Sequence, residues 1–106
     1  MKNIIISDVT LRDGNHAVKH QISKNIINIY SKFAEKNKID ILEVGHGNGL
    51  GASSLTIGKS KVSNNDAIKL AKKNLKKTKL SVHSIPGFST LDDVKAAIDN
   101  GADLIR

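Results

Sequence analysis

Cysteine and tryptophan are absent from the 106-residue sequence, and proline occurs once. Without cysteine there is no disulfide, no thiolate metal site and no cysteine nucleophile, so zinc fingers and thiol enzymes are excluded and a cytoplasmic setting is expected. Aromatic residues make up only 3% of the chain, which leaves little to stack on nucleobases. Long apolar runs are also missing: Ile4-Ile5-Ile6 near the N-terminus is too short for a signal peptide or a membrane span.

Acidic residues are scarce relative to basic ones, ten against seventeen, for a formal charge of +7. Such a balance invites a phosphate-binding reading. However, Lys69, Lys72, Lys73, Lys76, Lys77 and Lys79 alternate with Ile68, Leu70, Ala71 and Leu75 at helical spacing, the pattern of a solvated outer face. Neither nucleic acid nor membrane is expected as a partner.

What is present is a regular alternation. Ile4 to Ile6 reads as a buried strand. Ser23 can cap a helix ending near Asn37, with Ile22, Ile26, Ile29, Tyr30 and Phe33 on its apolar face. Residues 39–44 form a second strand, and a glycine- and serine-rich loop follows over 45–62, long enough to suggest binding. A helix begins at Asn64, Asn65 or Asp66 and runs to about Lys77, and Leu80 to Ile85 is a third strand. Thr90 and Asp93 resemble a capping box for a helix whose inner face is Leu91, Val94, Ala97 and Ile98; Gly101 closes it, and Ala102 to Ile105 starts a fourth strand. Strands alternating with helices imply an α/β fold with a parallel sheet and right-handed crossovers. The sequence stops within its fourth strand, as a fragment would.

Two near-motifs in the long loop fail. Gly47-Asn48-Gly49-Leu50-Gly51-Ala52 fits a dinucleotide fingerprint, but residues 53–61 lack the apolar helix that must follow. Gly58-Lys59-Ser60 lacks the earlier glycine and leading strand of a phosphate-binding loop.

The densest chemistry lies in Asp8-Val9-Thr10-Leu11-Arg12-Asp13-Gly14-Asn15-His16, behind the first strand. In parallel α/β folds ligands bind at the C-terminal strand edge. This stretch resembles the opening of the metal-dependent lyase and synthase superfamily that includes HMG-CoA lyase and isopropylmalate synthase. Asn15-His16 is similar to its 4-hydroxy-2-oxovalerate aldolase branch, as are Glu43-Val44-Gly45-His46-Gly47-Asn48-Gly49-Leu50-Gly51-Ala52-Ser53-Ser54 and Ile85-Pro86-Gly87. The resemblance covers essentially the whole chain and implies the N-terminal portion of a TIM (β/α)8 barrel, about three and a half βα units, with residues 1–106 a partial domain truncated at its C-terminal side.

The resemblance further implies cleavage of 4-hydroxy-2-oxo acids to pyruvate and an aldehyde. A divalent cation, Mn²⁺ with Mg²⁺ or Co²⁺ possible, would bind the 2-oxo acid. Asp13 would be a metal ligand and Arg12 would stabilise the enolate oxygen and bind substrate. His16 would take the 4-hydroxyl proton. Glu43 would be a substrate-side carboxylate that orients Arg12 or a ligand. His46 is open between substrate contact and loop packing, whereas His20 and His83 read as structural or surface residues and Asp8 as part of the strand's backbone network. The family's His-x-His metal pair has no counterpart, since no two of His16, His20, His46 and His83 stand two apart. The chain alone is therefore expected to be inactive. The family's acylating aldehyde dehydrogenase partner, which binds through a C-terminal region, is not expected to be retained. A non-catalytic half-barrel that docks onto another chain is the alternative, and an acetyl-CoA-dependent Claisen synthase a further one, which Asn15-His16 disfavours.

Overall fold

Short β-branched runs and amphipathic stretches alternate to build four parallel strands with helices between them, in a computed structural model that describes residues 3–55 and 57–106. The strands are β1 (Ser7–Asp8), β2 (Ile41–Glu43), β3 (Lys79–Val82) and β4 (Leu104–Ile105), hydrogen-bonded in the order β1-β2-β3-β4. All three pairings are parallel, with Asp8 opposite Leu42, Glu43 opposite Ser81 and Val82 opposite Ile105. Sequential parallel neighbours joined by helices are the architecture of part of a TIM barrel.

Side-chain alternation divides the sheet. Leu42, Val44, Leu80 and Val82 are buried in the core with Ile27 and Ala34 of α2 (Lys24–Lys36), Ala67, Ile68 and Ala71 of α3 (Asn64–Asn74) and Ala97 of α4 (Leu91–Asn100). Glu43 and Ser81 take the intervening positions.

The first strand lies later than the Ile-Ile-Ile run. Ile6 accepts from Ile41 N–H at 3.1 Å and donates its own N–H to Asp40 Oδ2 at 2.8 Å, and Ile4 and Ile5 are exposed. Among the described residues β1 is paired on one side only, so nothing covers them.

Helix α2 starts at the expected cap, where Ser23 Oγ accepts from Ile26 N–H at 3.2 Å. Its buried face is rotated from the expected one: Ile27, Ser31 and Ala34 are inside, whereas Ile26, Ile29 and Phe33 are about half exposed. The cause is a polar contact that hydropathy cannot see. Asn74 Nδ2 of α3 donates to Asn28 Oδ1 and Ser31 Oγ, both at 2.9 Å, and turns that side of α2 towards α3.

The cap of α3 is Ser63, not a residue of 64–66, and the helix ends at Asn74 rather than Lys77. Beyond it Leu75 is extended and buried, and the Glu35 carboxylate accepts from the N–H groups of Lys76, Lys77 and Thr78. Those bonds replace helical ones. Thr90 and Asp93 form the capping box of α4, but Leu91 and Ile98 are exposed; only Val94 and Ala97 face the core. Gly101 ends α4 at φ +122°, a conformation favouring glycine.

The lysine-rich segment is a solvated face: Lys69, Lys73, Lys76, Lys77 and Lys79 are exposed, and Lys72 pairs with Asp103 at 2.9 Å. Among the described residues no helix is long and apolar enough to cross a membrane.

Candidate active site

The chain leaves β1 into two tight turns, a short α1 (Thr10–Asp13) and a 3₁₀ helix (Gly14–Val18). Asp8 starts the first turn. Its Oδ1 accepts from Thr10 N–H at 2.9 Å and its Oδ2 from the Tyr30 hydroxyl at 2.5 Å. Burial alone would raise the Asp8 pKa, but the bonds from Tyr30 and Thr10 outweigh it and hold the carboxyl below its usual range. Asp8 is thus engaged with backbone and scaffold.

Leu11 is buried in the core, which directs its neighbour Arg12 across the mouth of the sheet. Arg12 Nε–H donates to Glu43 Oε2 at 2.8 Å and Nη1–H to the Gly47 carbonyl at 2.9 Å. Asn15, also buried, donates to the Gly45 carbonyl at 2.7 Å and to the Leu11 carbonyl at 3.2 Å, pinning the turn to the exit of β2. Arg12 and Asp13 on α1 and His16 on the 3₁₀ helix that follows it therefore stand in consecutive turns at the C-terminal edge. Asp13 is 64% exposed, 3.5 Å from Arg12 Nη1. The His16 ring is exposed and lies flat against Gly47, where a Cβ would come within 2.6 Å of its Cε1 and Nε2. In the sequence Gly47 stands in the failed dinucleotide motif and in the stretch that resembles the aldolase branch, with no role of its own marked. Its lack of a side chain is what gives His16 its place.

Glu43 is fully buried and takes four donors. Besides Arg12, Ser81 Oγ–H donates to Oε1 at 3.2 Å, and Arg106 Nε–H and Nη2–H donate to Oε1 and Oε2 at 3.0 and 2.9 Å. Burial pushes the Glu43 pKa up, but the two guanidiniums more than reverse this and the carboxyl stays ionised below its usual range. Its oxygens thus carry four protein donors, one of them from Arg12, which Glu43 orients. Arg106, just past β4, had no local motif to mark it; only the sheet register brings it to Glu43.

His46 is completely buried. Its Nε2 bonds to the Gly58 carbonyl at 2.8 Å, and its Nδ1 accepts from Asn48 N–H at 3.0 Å. Both ring nitrogens are bonded within the loop, the packing role among the two left open for it. His20 stacks on His46 with ring centroids 3.7 Å apart and planes 9° from parallel. His20 is a buried structural residue, and burial, then the neighbouring His46 and His16, lowers its pKa. His83 follows β3 beside the cations; burial and then Arg106 and Arg12 lower its pKa, so it borders the site.

Among the described residues no group of three His, Cys, Asp or Glu is placed to hold a metal ion. Asp13 is a single exposed carboxylate, and it does not by itself fit the oxygen-rich shell such ions need.

A parallel α/β sheet with arginine, aspartate and histidine on the turn leaving its first strand defines part of a TIM barrel with its polar cluster at the customary strand edge. The family model described as HMGL-like matches residues 3–106, and the chain belongs to that family. The chain is 50% identical over 102 residues to "4-hydroxy-2-oxovalerate aldolase 2" of Salinispora arenicola, covering 95% of this chain and 29% of that protein. It is 47% identical over 104 residues to the 4-hydroxy-2-oxovalerate aldolase of Spirochaeta aurantia, covering 97% and 30%. Against the protein of that name from Pectobacterium atrosepticum it is 43% identical over 106 residues, covering 99% and 31%. The chain thus spans about three-tenths of the length of the curated relatives it matches.

Proposed function

We propose that this chain carries the enolate-stabilising part of an aldolase site that cleaves 4-hydroxy-2-oxo acids, such as 4-hydroxy-2-oxopentanoate, to pyruvate and an aldehyde. The observation that carries the reading is the pair of consecutive turns holding Arg12, Asp13 and His16 at the C-terminal strand edge, with Arg12 anchored on buried Glu43. The names of the relatives agree with it.

Breaking the bond between C3 and C4 requires removal of the 4-hydroxyl proton and stabilisation of the enolate that leaves as pyruvate. His16, exposed and free of tight protein bonds among the described residues, is the base in this reading. Arg12 is the cation for the enolate oxygen, since one bond to Glu43 and one to Gly47 leave other N–H donors of its five for substrate. Asp13 is the carboxylate this chain offers to a divalent ion, of which Mn²⁺ is favoured by mixed carboxylate and imidazole ligation. The present residues do not complete that ion's shell, and no step here is routed through it.

The test is a coupled assay in which lactate dehydrogenase and NADH report pyruvate from 4-hydroxy-2-oxopentanoate, with Mn²⁺ and without coenzyme A. Pyruvate formation lost in Arg12→Gln supports the reading and removes the acetyl-CoA synthase alternative. No pyruvate, even with a chain supplying a His-x-His strand, sinks it. The second reading, a non-catalytic half-barrel that docks onto another chain, is favoured by the exposed Ile4, Ile5, Leu104 and Ile105 on the two border strands and their flanks. It would then stand alone.

A further inference from the structure

Two arginines from opposite borders of the sheet meet on one buried carboxylate, and they hold it differently. Arg106 grips Glu43 with two parallel bonds, Nε–H to Oε1 at 3.0 Å and Nη2–H to Oε2 at 2.9 Å, the fork geometry of a strong arginine–carboxylate pair. Arg12 has a single bond to it, from Nε–H to Oε2 at 2.8 Å. Ser81 fills the remaining position on Oε1. A carboxylate offers about four lone-pair sites, and these four donors occupy all of them.

The consequences for Arg12 are geometric and electrostatic. It cannot close a second bond onto Glu43, because the place is taken. Nη1 is engaged by the Gly47 carbonyl, and among the described residues Nη2 meets no acceptor. Around Glu43 itself two guanidiniums meet one carboxylate, and the remaining positive charge on the Arg12 side faces only the exposed Asp13 carboxylate, 3.5 Å from Nη1. With Arg106 removed, Glu43 would be free to swing onto Arg12 and take it two-toothed, cancelling its charge and committing donors that now stand uncommitted.

We infer that Arg106 is a positioning residue: by occupying the two-toothed side of Glu43 it holds Arg12 singly tied, with its outer N–H donors and its charge available to a substrate oxyanion of the 2-oxo acid class. This rests on the aldolase reading of the same site and adds to it a residue that never touches substrate.

The experiment compares the full-length protein with Arg106→Gln, Arg106→Lys, Arg12→Gln and the Arg12→Gln/Arg106→Gln double variant. The first readout is the ¹⁵N NMR signal of the Arg12 side chain, which needs no catalysis. In Arg106→Gln the Arg12 Nη groups should become slowly rotating and distinct as Glu43 closes on them, with Arg106→Lys between the two because it keeps the charge but not the fork. An Arg12 signal unchanged in Arg106→Gln overturns the inference. The second readout is binding of oxalate, a planar dianion that mimics the enolate of pyruvate. Arg106→Gln should weaken it at least about tenfold, the scale of one charge-assisted hydrogen bond, and should add nothing once Arg12 is already Gln. Equal weakening with and without Arg12 would make Arg106 a direct ligand and also overturn the inference. If oxalate binds as expected but 4-hydroxy-2-oxopentanoate yields no pyruvate, the aldolase reading fails while the brace stands.

Discussion

Replacing Glu43 with glutamine isolates the worth of a buried charge, because the side chain keeps its size and loses only its ionisation. Glu43 is fully buried, and the Arg12 side chain is 12% exposed, so in the variant Arg12 becomes a dehydrated cation facing an amide. The amide NH₂ also confronts donors of Arg12, Arg106 or Ser81 whichever way it turns. Breaking one side of a buried ion pair costs about 3–5 kcal/mol. Arg106 is discounted from this sum, since it is half exposed and water can take it back. A loss near about 3 kcal/mol is expected, a large share of the roughly 5–15 kcal/mol that holds a domain together. Urea unfolding followed by circular dichroism at pH 7 measures it as a lowered midpoint with unchanged slope. The pH course supplies an independent check. The folded Glu43 pKa is depressed, so in acid the unfolded chain binds the proton first; the carboxylate's contribution is complete above about pH 4.5 and is lost as the pH falls through the lower folded value. The glutamine variant should lack that portion of the acid slope. A loss below about 1 kcal/mol, the worth of an exposed pair, would refute the claim that this charge is sequestered.

Other substitutions separate the remaining roles. Gly47→Ala places a methyl where the His16 ring lies, so pyruvate formation should fall by about a hundredfold, the scale of a displacement of about 1 Å in a reacting group; because His16 is exposed and can swing away, thermal stability should hardly change, and an unaltered rate would discount His16 as the base. His20 has its pKa lowered, so acid protonates it first in the unfolded chain, and its contribution fades as the pH drops from about 6.5 towards the folded value. His20→Phe should flatten the stability profile over that range, and an identical slope would place its origin elsewhere. Thr90→Ala removes a capping-box acceptor and should cost about 1 kcal/mol in urea unfolding without moving Arg12 or His16, which lie far along the chain.

The opening turn was legible because its chemistry is local. Arg12, Asp13 and His16 fall within five residues, and a strand before them is enough to place them at the binding edge. Helix starts were legible for the same reason, as Ser23 and Thr90 each bond to a backbone N–H three residues on. What escaped depends on residues distant in sequence. Hydropathy chose Ile26, Ile29 and Phe33 for the inner face of α2, but the Asn74 bonds to Asn28 and Ser31, more than forty positions away, decided it. The end of α3 was misplaced because Glu35, from another helix, supplies the acceptors that let the chain leave early. Arg106 is separated from Glu43 by 63 positions and was invisible until β4 was laid beside β3.

The packing of His46 bears on how a chain without cysteine secures an eighteen-residue loop over residues 45–62. One imidazole spans the twelve positions from His46 to Gly58 on its outer nitrogen and grips Asn48 on its inner one, and the His20 ring lies across it like a washer on a bolt. Such a fastening does for the loop what a disulfide does in secreted proteins: it removes freedom from a long closure. It forms without an oxidant and is indifferent to thiols. Two described residues near the ends of this segment, His46 and Gly58, are thereby tied through one imidazole.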